Sequence, residues 1–220
     1  MIITIDGPAG SGKSTAARNL ATRLGIAFLD TGATYRAVTL KALETGIDLA
    51  DEDALCEVAR NCDVSFEPAP QGLRVLLEGR DVSTEIRTSR VSEMSRYAAA
   101  SPKVREVLVN LQRRLGAELG SFVTEGRDQG TVVFPQANLK VYLDADPAVR
   151  ARRRHAELAA AGYKDSYESV LSAIADRDAR DRGRAVGPLS KPKDAVVIDT
   201  SNMEIQQVEE MLVQLAEALR

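Results

Sequence analysis

The run Gly7-Pro8-Ala9-Gly10-Ser11-Gly12-Lys13-Ser14 constrains this chain more than any other feature. It reads as Gly, four residues, Gly, Lys, Ser/Thr. That spacing suits a loop whose glycines let successive amides turn inward, so that several N–H groups converge on phosphate oxygens. The compact β-branched run Ile2-Ile3-Thr4-Ile5 precedes it, and a helical pattern follows. Ala16, Ala17, Leu20, Ala21 and Leu24 recur at helical spacing, and Gly25 closes the segment. A helix starting there adds its positive N-terminal end to the loop amides. Lys13 then reaches the outer phosphates of a nucleoside triphosphate, and the Ser14 hydroxyl is placed to ligate Mg²⁺. Gly7 through Ser14 are therefore the candidate cradle.

The rest of the chain alternates short apolar runs with helix-period segments. Strands are predicted at Ile26–Leu29, Phe122–Thr124, Leu139–Leu143 and Ala195–Ile198. Helices are predicted over Ala33–Glu44, ended by Gly46, and over Pro102–Leu119, Ala148–Ala161, Tyr167–Arg180 and Met203–Leu219. Strands separated by helices imply an α/β fold, a parallel sheet with helices on both faces. Residues 63 to 88 break this rhythm with period-2 runs, Val64-Ser65-Phe66 and Leu73–Leu77, joined by Pro68, Pro70, Gly72 and Gly79. They predict two or three antiparallel strands, a small sheet inserted between helical patterns.

Composition removes several classes of function. Twenty-nine Lys and Arg against 32 Asp and Glu leave a net charge of −3, so no general basic field draws in nucleic acid or an anionic membrane. A run of 18 apolar residues is absent, and the N-terminus lacks a basic start and an apolar core. Cys56 and Cys62 are too few for a disulfide scaffold and wrongly spaced for a zinc knuckle. The expectation is a reduced cytoplasmic protein. A phosphate loop alone does not separate a switch GTPase, a motor, a DNA-handling ATPase and a kinase. The sequence has no Asn-Lys-x-Asp to read guanine, which disfavours the first.

Two late clusters favour phosphoryl transfer. Arg150, Arg152, Arg153 and Arg154 open one helix; Arg177, Arg180, Arg182 and Arg184 alternate with Asp176, Asp178 and Asp181. Guanidinium groups held against a phosphoryl in flight neutralise its spreading charge, and a closing helical lid would exclude water. A solvated face laced with Asp176/Arg180 and Asp178/Arg182 pairs is the alternative. His155, beside this basic run, is expected to be a surface side chain. At strand ends, Asp30-Thr31-Gly32-Ala33-Thr34-Tyr35-Arg36 and Glu125-Gly126-Arg127-Asp128 offer groups for a second substrate.

These segments resemble the bacterial cytidylate kinases, a branch of the nucleoside monophosphate kinases. The match runs through residues 5–15, 30–36, Asp-Val-Ser-Thr-Glu-Ile-Arg-Thr at 81–88, Gly-Arg-Asp-Gln-Gly-Thr-Val-Val-Phe-Pro at 126–135 and Arg-Asp-Ala-Arg-Asp-Arg-Gly-Arg-Ala-Val at 177–186. The resemblance implies a P-loop NTPase-type parallel sheet, the small antiparallel β insert and an Arg-rich helical lid. One domain would then have a core near 1–35, 116–150 and 188–220, a monophosphate-binding region near 36–115, and a lid near 151–187. It implies ATP and Mg²⁺ as co-substrate and cofactor, CMP and dCMP as acceptors, and a monomer without nucleic-acid or membrane partners. Carried onto this chain, Gly7, Pro8, Ala9, Gly10, Ser11, Gly12, Lys13, Ser14 and Thr15 are similar to the ATP phosphate site, with Ser14 on the metal. Thr31, Tyr35, Arg36 and Arg127 would hold the acceptor and its phosphate. Arg105, Asp128 and Arg184 would read cytosine, and Arg177 and Asp181 would touch the sugar. Lys13, Arg127, Arg153 and Arg177 would act on the transferring group. Two departures stand out: Arg96 falls where the family usually has a serine, and Glu125 where many members have Asp.

Overall fold

The computed structural model describes residues 1–69 and 72–219. In chain order the elements are β1 (Ile2–Asp6), α1 (Lys13–Leu24), β2 (Ala27–Asp30), α2 (Thr31–Thr45) and α3 (Glu52–Asn61). Then come β3 (Val64–Ala69), β4 (Gly72–Leu77), β5 (Arg80–Asp81), α4 (Ser89–Ala100) and α5 (Pro102–Leu119). The chain continues with β6 (Phe122–Gly126), a π turn over Gln129–Val133, and β7 (Leu139–Asp144). It closes with α6 (Pro147–Ala160), α7 (Tyr167–Arg182), β8 (Val196–Asp199) and α8 (Ile205–Glu217). Contacts divide it into two compact units, Met1–Ile26 with Val123–Arg220, and Ala27–Phe122.

The first unit carries four strands of a five-stranded sheet, in the order β6-β1-β7-β8. β1 and β7 run parallel with Ile3 opposite Leu139 and Ile5 opposite Val141, and β7 and β8 run parallel with Leu143 opposite Ile198. Ile3, Thr4 and Ile5 are all fully buried, so both faces of β1 are covered, and the strand reads as a compact β-branched run rather than an apolar–charged alternation. α1 turns Ala16, Ala17, Leu20 and Ala21 inward and packs beside α8, which contributes Val208, Leu212 and Ala216. The helix expected from Ser14 to Leu24 is borne out, beginning one residue earlier at Lys13, with Gly25 closing it in the left-handed conformation at φ 66°.

α6 and α7 form an antiparallel pair with a small core of their own, Ala151, Val170 and Ile174, flanked by Leu158, Tyr167 and Leu171. Asp146 caps α6 by accepting from the Ala148 amide at 2.8 Å, with Pro147 as the first helical residue. Ser166 caps α7 through the Ser169 amide. His155 lies on this hairpin, partly exposed; its Nε2 pairs with the Asp165 carbonyl at 3.1 Å and its ring meets Tyr167 edge-on.

The second unit holds the separate antiparallel sheet, in the order β3-β4-β5. Val64, Val75 and Leu77 lie against Ala33 and Ala37 of α2, while Val38 and Ala42 of the same helix pack with Leu55, Cys56, Ala98, Val104 and Leu108 of α3, α4 and α5. α2 is thus apolar on two sides. β3 runs past Pro68, which the sequence reading placed in a turn. As an edge strand it has room for a residue without an N–H. The turn expected at Pro70 lies outside the described residues. β4 and β5 are joined at Glu78 and Gly79, both at positive φ, 52° and 77°, as a two-residue hairpin turn requires. Both thiols are free, Cys56 buried and Cys62 half-buried, and burial pushes the Cys62 thiol up to about 11.

Candidate active site

The phosphate loop fits its surroundings so closely that Gly7 admits no side chain and Gly10 would take one only with strain. A Cβ on Gly7 would stand 2.1 Å from the Leu143 carbonyl oxygen at the end of β7. One on Gly10, at φ 76°, would stand 3.2 Å from both the Cβ and the carbonyl oxygen of Arg150 on α6. The loop delivers the chain to α1 with Gly12 as the N-terminal cap, no side chain bonded to that cap and no acidic residue in the first turn. The first amides of α1 and its dipole are therefore left for an anion. Ser14 and Thr15 are exposed at that end.

Lys13 is buried, and its Nζ donates to the Pro8 carbonyl at 2.9 Å, folding the side chain back over the loop. Burial pushes its pKa down to about 7; Arg127 acts in the same direction, while Glu125 works against both. Ser14 Oγ donates to Glu125 Oε1 at 2.9 Å. The sequence groups Glu125 with the residues offered to a second substrate; in the structure it stands against the phosphate-loop serine. Behind the loop, Asp6 is fully buried and accepts from the amides of Gln129 at 2.9 Å and Gly130 at 2.8 Å, tying β1 to the π turn. Burial raises its pKa to about 7 against the pull of those two amides.

A second group of charges gathers on α7. Asp181 accepts from Arg127 Nε at 2.7 Å and, on its other oxygen, from Arg184. Burial alone would raise the Asp181 pKa, but Arg127 and then Arg184 outweigh it and hold the carboxyl below its usual range. Arg177 lies one turn earlier on α7 with an exposed side chain, and Asp128 is buried at the head of the π turn. Arg127, Arg184 and Asp181 are thus brought together.

The arginines at the start of α6 part company. Arg152 and Arg154 are exposed. Arg153 donates to Thr200 Oγ1 at 3.1 Å, to the Thr200 carbonyl at 2.6 Å and to the Met203 carbonyl at 3.2 Å. Arg150 is buried on Asp178, so Asp178 serves a residue 28 positions away rather than the i,i+4 partner Arg182 that the spacing suggested. Ala9 also differs from its neighbours in the loop, because its N–H faces Asp178 at 3.3 Å.

In the second unit, Thr31, Tyr35 and Arg36 occupy the first turns of α2. Asp30 caps that helix through the Ala33 amide, and both its oxygens also receive Arg36, at 2.9 and 3.2 Å. Arg87 reaches the same carboxylate at 3.1 Å. Arg105 on α5 is buried, with its guanidinium 5.5 Å from the centre of the Tyr35 ring. Asp30, Arg87, Arg150 and Asp178 are the residues to which the sequence reading gave no such role. Asp30 had a visible signal, an Asp three residues before the amide it caps. Arg96 pairs with Glu93 on its own helix at 3.1 Å and lies over Tyr97.

A glycine-rich loop between a parallel strand and a helix, with a buried lysine folded over it and Arg150 of α6 on the Ala9 carbonyl, has the form of a P-loop phosphate site. The family model described as cytidylate kinase matches residues 3–218, and the chain belongs to that family. It is 49% identical over 212 residues to a cytidylate kinase of Pelotomaculum thermopropionicum, covering 96% of this chain and 93% of that one. It is 46% identical over 215 residues to one from Carboxydothermus hydrogenoformans, covering 98% and 96%. A solved structure of an uncharacterized protein from Eubacterium ventriosum shares the fold, with a TM-score of 0.55 at 14% identity and 99% of each chain covered.

Proposed function

We infer that this chain transfers the γ-phosphoryl group of ATP to CMP, and to dCMP, releasing ADP and CDP or dCDP. A phosphate oxygen of the acceptor bonds to the γ-phosphorus as the bond to the β,γ-bridging oxygen breaks, and ADP carries away that electron pair. Membership of the family over residues 3–218 carries the reading. The loop amides from Gly10 to Ser14 and the α1 N-terminus hold the phosphates, and Lys13 leaves the Pro8 carbonyl for the β- and γ-oxygens. Developing charge in a low-dielectric site is worth most to such donors.

Ser14 and Glu125 present hard oxygen donors side by side, a set that suits Mg²⁺ better than a softer metal. When bound, Mg²⁺ would neutralise charge on the β- and γ-phosphates. Ser14 would hold it and Glu125 would orient the water around it.

Thr31, Tyr35, Arg36 and Arg127 are assigned to the acceptor and its phosphate, and Arg177 and Asp181 to its sugar. Asp128 accepts from the cytosine amino group, while Arg105 and Arg184 donate to the ring nitrogen and carbonyl; uracil reverses the donor pattern at two of those atoms. Asp181 sets the direction of Arg127 and Arg184 before any ligand arrives. The hairpin and the segment up to about residue 187 serve as the lid. Arg153 reaches the transferring phosphate only by releasing Thr200 and Met203. The free thiols fit a reducing cytoplasm, and we take the chain as a monomer.

Comparing CMP, dCMP, UMP and shikimate as acceptors in a coupled ADP assay tests the reading. CMP and dCMP are expected to lead. A preference for UMP would overturn the cytosine assignment of Asp128 and Arg184.

A further inference from the structure

Both backbone polar groups of one residue in the phosphate loop, the N–H and the C=O of Ala9 in two successive peptides, are held by side chains of the α6–α7 hairpin. Arg150 Nη1 donates to the Ala9 carbonyl at 2.9 Å and to Asp178 Oδ2 at 2.7 Å, and Asp178 Oδ1 accepts from the Ala9 N–H at 3.3 Å. Arg150 Nε is fixed in turn on the Ala145 carbonyl at 2.9 Å. Arg150 and Asp178 are each 2% exposed. A buried ion pair costs much in desolvation, and an apolar pair of like volume often stabilises a fold as well or better. What an apolar pair does not do is fix the orientation of a peptide.

That orientation matters at this place. Ala9 precedes the glycine that lies flush on Arg150, and the direction of the Ala9–Gly10 peptide sets where the following amides point. Arg153, one turn further along α6, adds a second strut: it bonds Thr200, whose Oγ1 lies 3.4 Å from the Ser11 carbonyl. On α7, Asp178 stands one turn from Asp181, the anchor of Arg127 and Arg184.

We propose that Arg150 and Asp178 are positioning residues for ATP. They preform the phosphate loop by holding the two peptides that flank Ala9, and they tie the shape of that loop to the seat of the α6–α7 hairpin. The proposal rests on the reading above for the identity of its ligand. The pair is net neutral, so its effect on an anion comes through geometry, and removing both charges together does not restore it.

Two variants test this, Asp178→Asn and the double variant Arg150→Met with Asp178→Leu. Calorimetry would follow a non-hydrolysable ATP analogue without CMP, and kinetics would give KM for ATP and for CMP. Loss of preorganisation should weaken the analogue about tenfold or more, with KM for CMP within about twofold of the parent. The double variant should regain thermal stability without regaining ATP affinity. A stable double variant with ATP affinity within about twofold of the parent overturns the proposal. So do ATP and CMP affinities that fall together in step with stability. If neither variant folds, amide exchange in the unsubstituted protein decides: an Ala9 N–H protected before nucleotide is added supports the clamp, and one exchanging like an exposed amide overturns it. A protein that binds ATP but leaves CMP unphosphorylated would refute the kinase reading alone.

Discussion

ATP binding should draw a proton onto Lys13. Burial holds the ammonium near pKa 7 while its Nζ rests on the Pro8 carbonyl. Phosphate oxygens beside it favour the charged form and return the pKa toward its ordinary value near 10.5. At pH 8 a group of pKa about 7 is only about one-tenth protonated, so binding takes up about 0.9 proton. At pH 6 the lysine is already about nine-tenths charged, and uptake by it falls to about 0.1. The same linkage makes ATP affinity drop nearly tenfold for each unit of pH above about 7.5. A phosphate's last proton leaves near pH 6, so at pH 8 the ligand has almost none to contribute. The assay is calorimetry of a non-hydrolysable ATP analogue at pH 8 in buffers of different ionisation enthalpy. Asp6, also near 7, would add the same protons in any variant that keeps it. Lys13→Arg, charged throughout, isolates the lysine by difference. Uptake below about 0.3 proton, or uptake equal in the two proteins, would refute the claim that the lysine waits largely neutral.

Two further predictions concern the loop and the arginines. Gly7→Ala adds the cost of driving a methyl into the Leu143 carbonyl, about 1–3 kcal/mol or more, to that of a positive φ, about 1–2 kcal/mol, and should abolish ATP binding. Gly12→Ala, whose Cβ meets nothing within 4 Å, should cost only the roughly 1–2 kcal/mol of its left-handed backbone; equal losses in thermal melts would contradict this. Arg184→Met should raise KM for CMP more than KM for ATP in steady-state kinetics, and the reverse order would remove Arg184 from the base pocket.

Local chemistry made much of the fold legible. The bounds of α5 follow from Pro102 at its first position and the Gly120 that caps its end, and α1 follows from the loop before it and Gly25 after it. The pattern predicts helices on both sides of the small sheet without fixing the bounds of α3 and α4. Their buried faces are short: Leu55, Cys56 and Ala59 on one, Val91 and Ala98 on the other. The charged residues were harder to read. Four arginines within five positions of α6 look alike as letters, yet Arg150 is buried, Arg153 is tied to Thr200, and Arg152 and Arg154 face solvent. Which of them turns inward depends on what packs against the helix. Asp178 likewise showed a neighbour at i+4 but took a partner on another helix, because burial favours the arginine that also satisfies the Ala9 and Ala145 carbonyls.

The central claim is that the phosphate loop delivers a phosphoryl group to CMP rather than to water. ATP labelled at the γ-phosphate, incubated with and without CMP, tests it most directly. The account predicts label at the β-position of CDP, one CDP for each ADP, and almost no ADP when CMP is left out. ADP formed at the same rate without CMP, with the label released as inorganic phosphate, would contradict it.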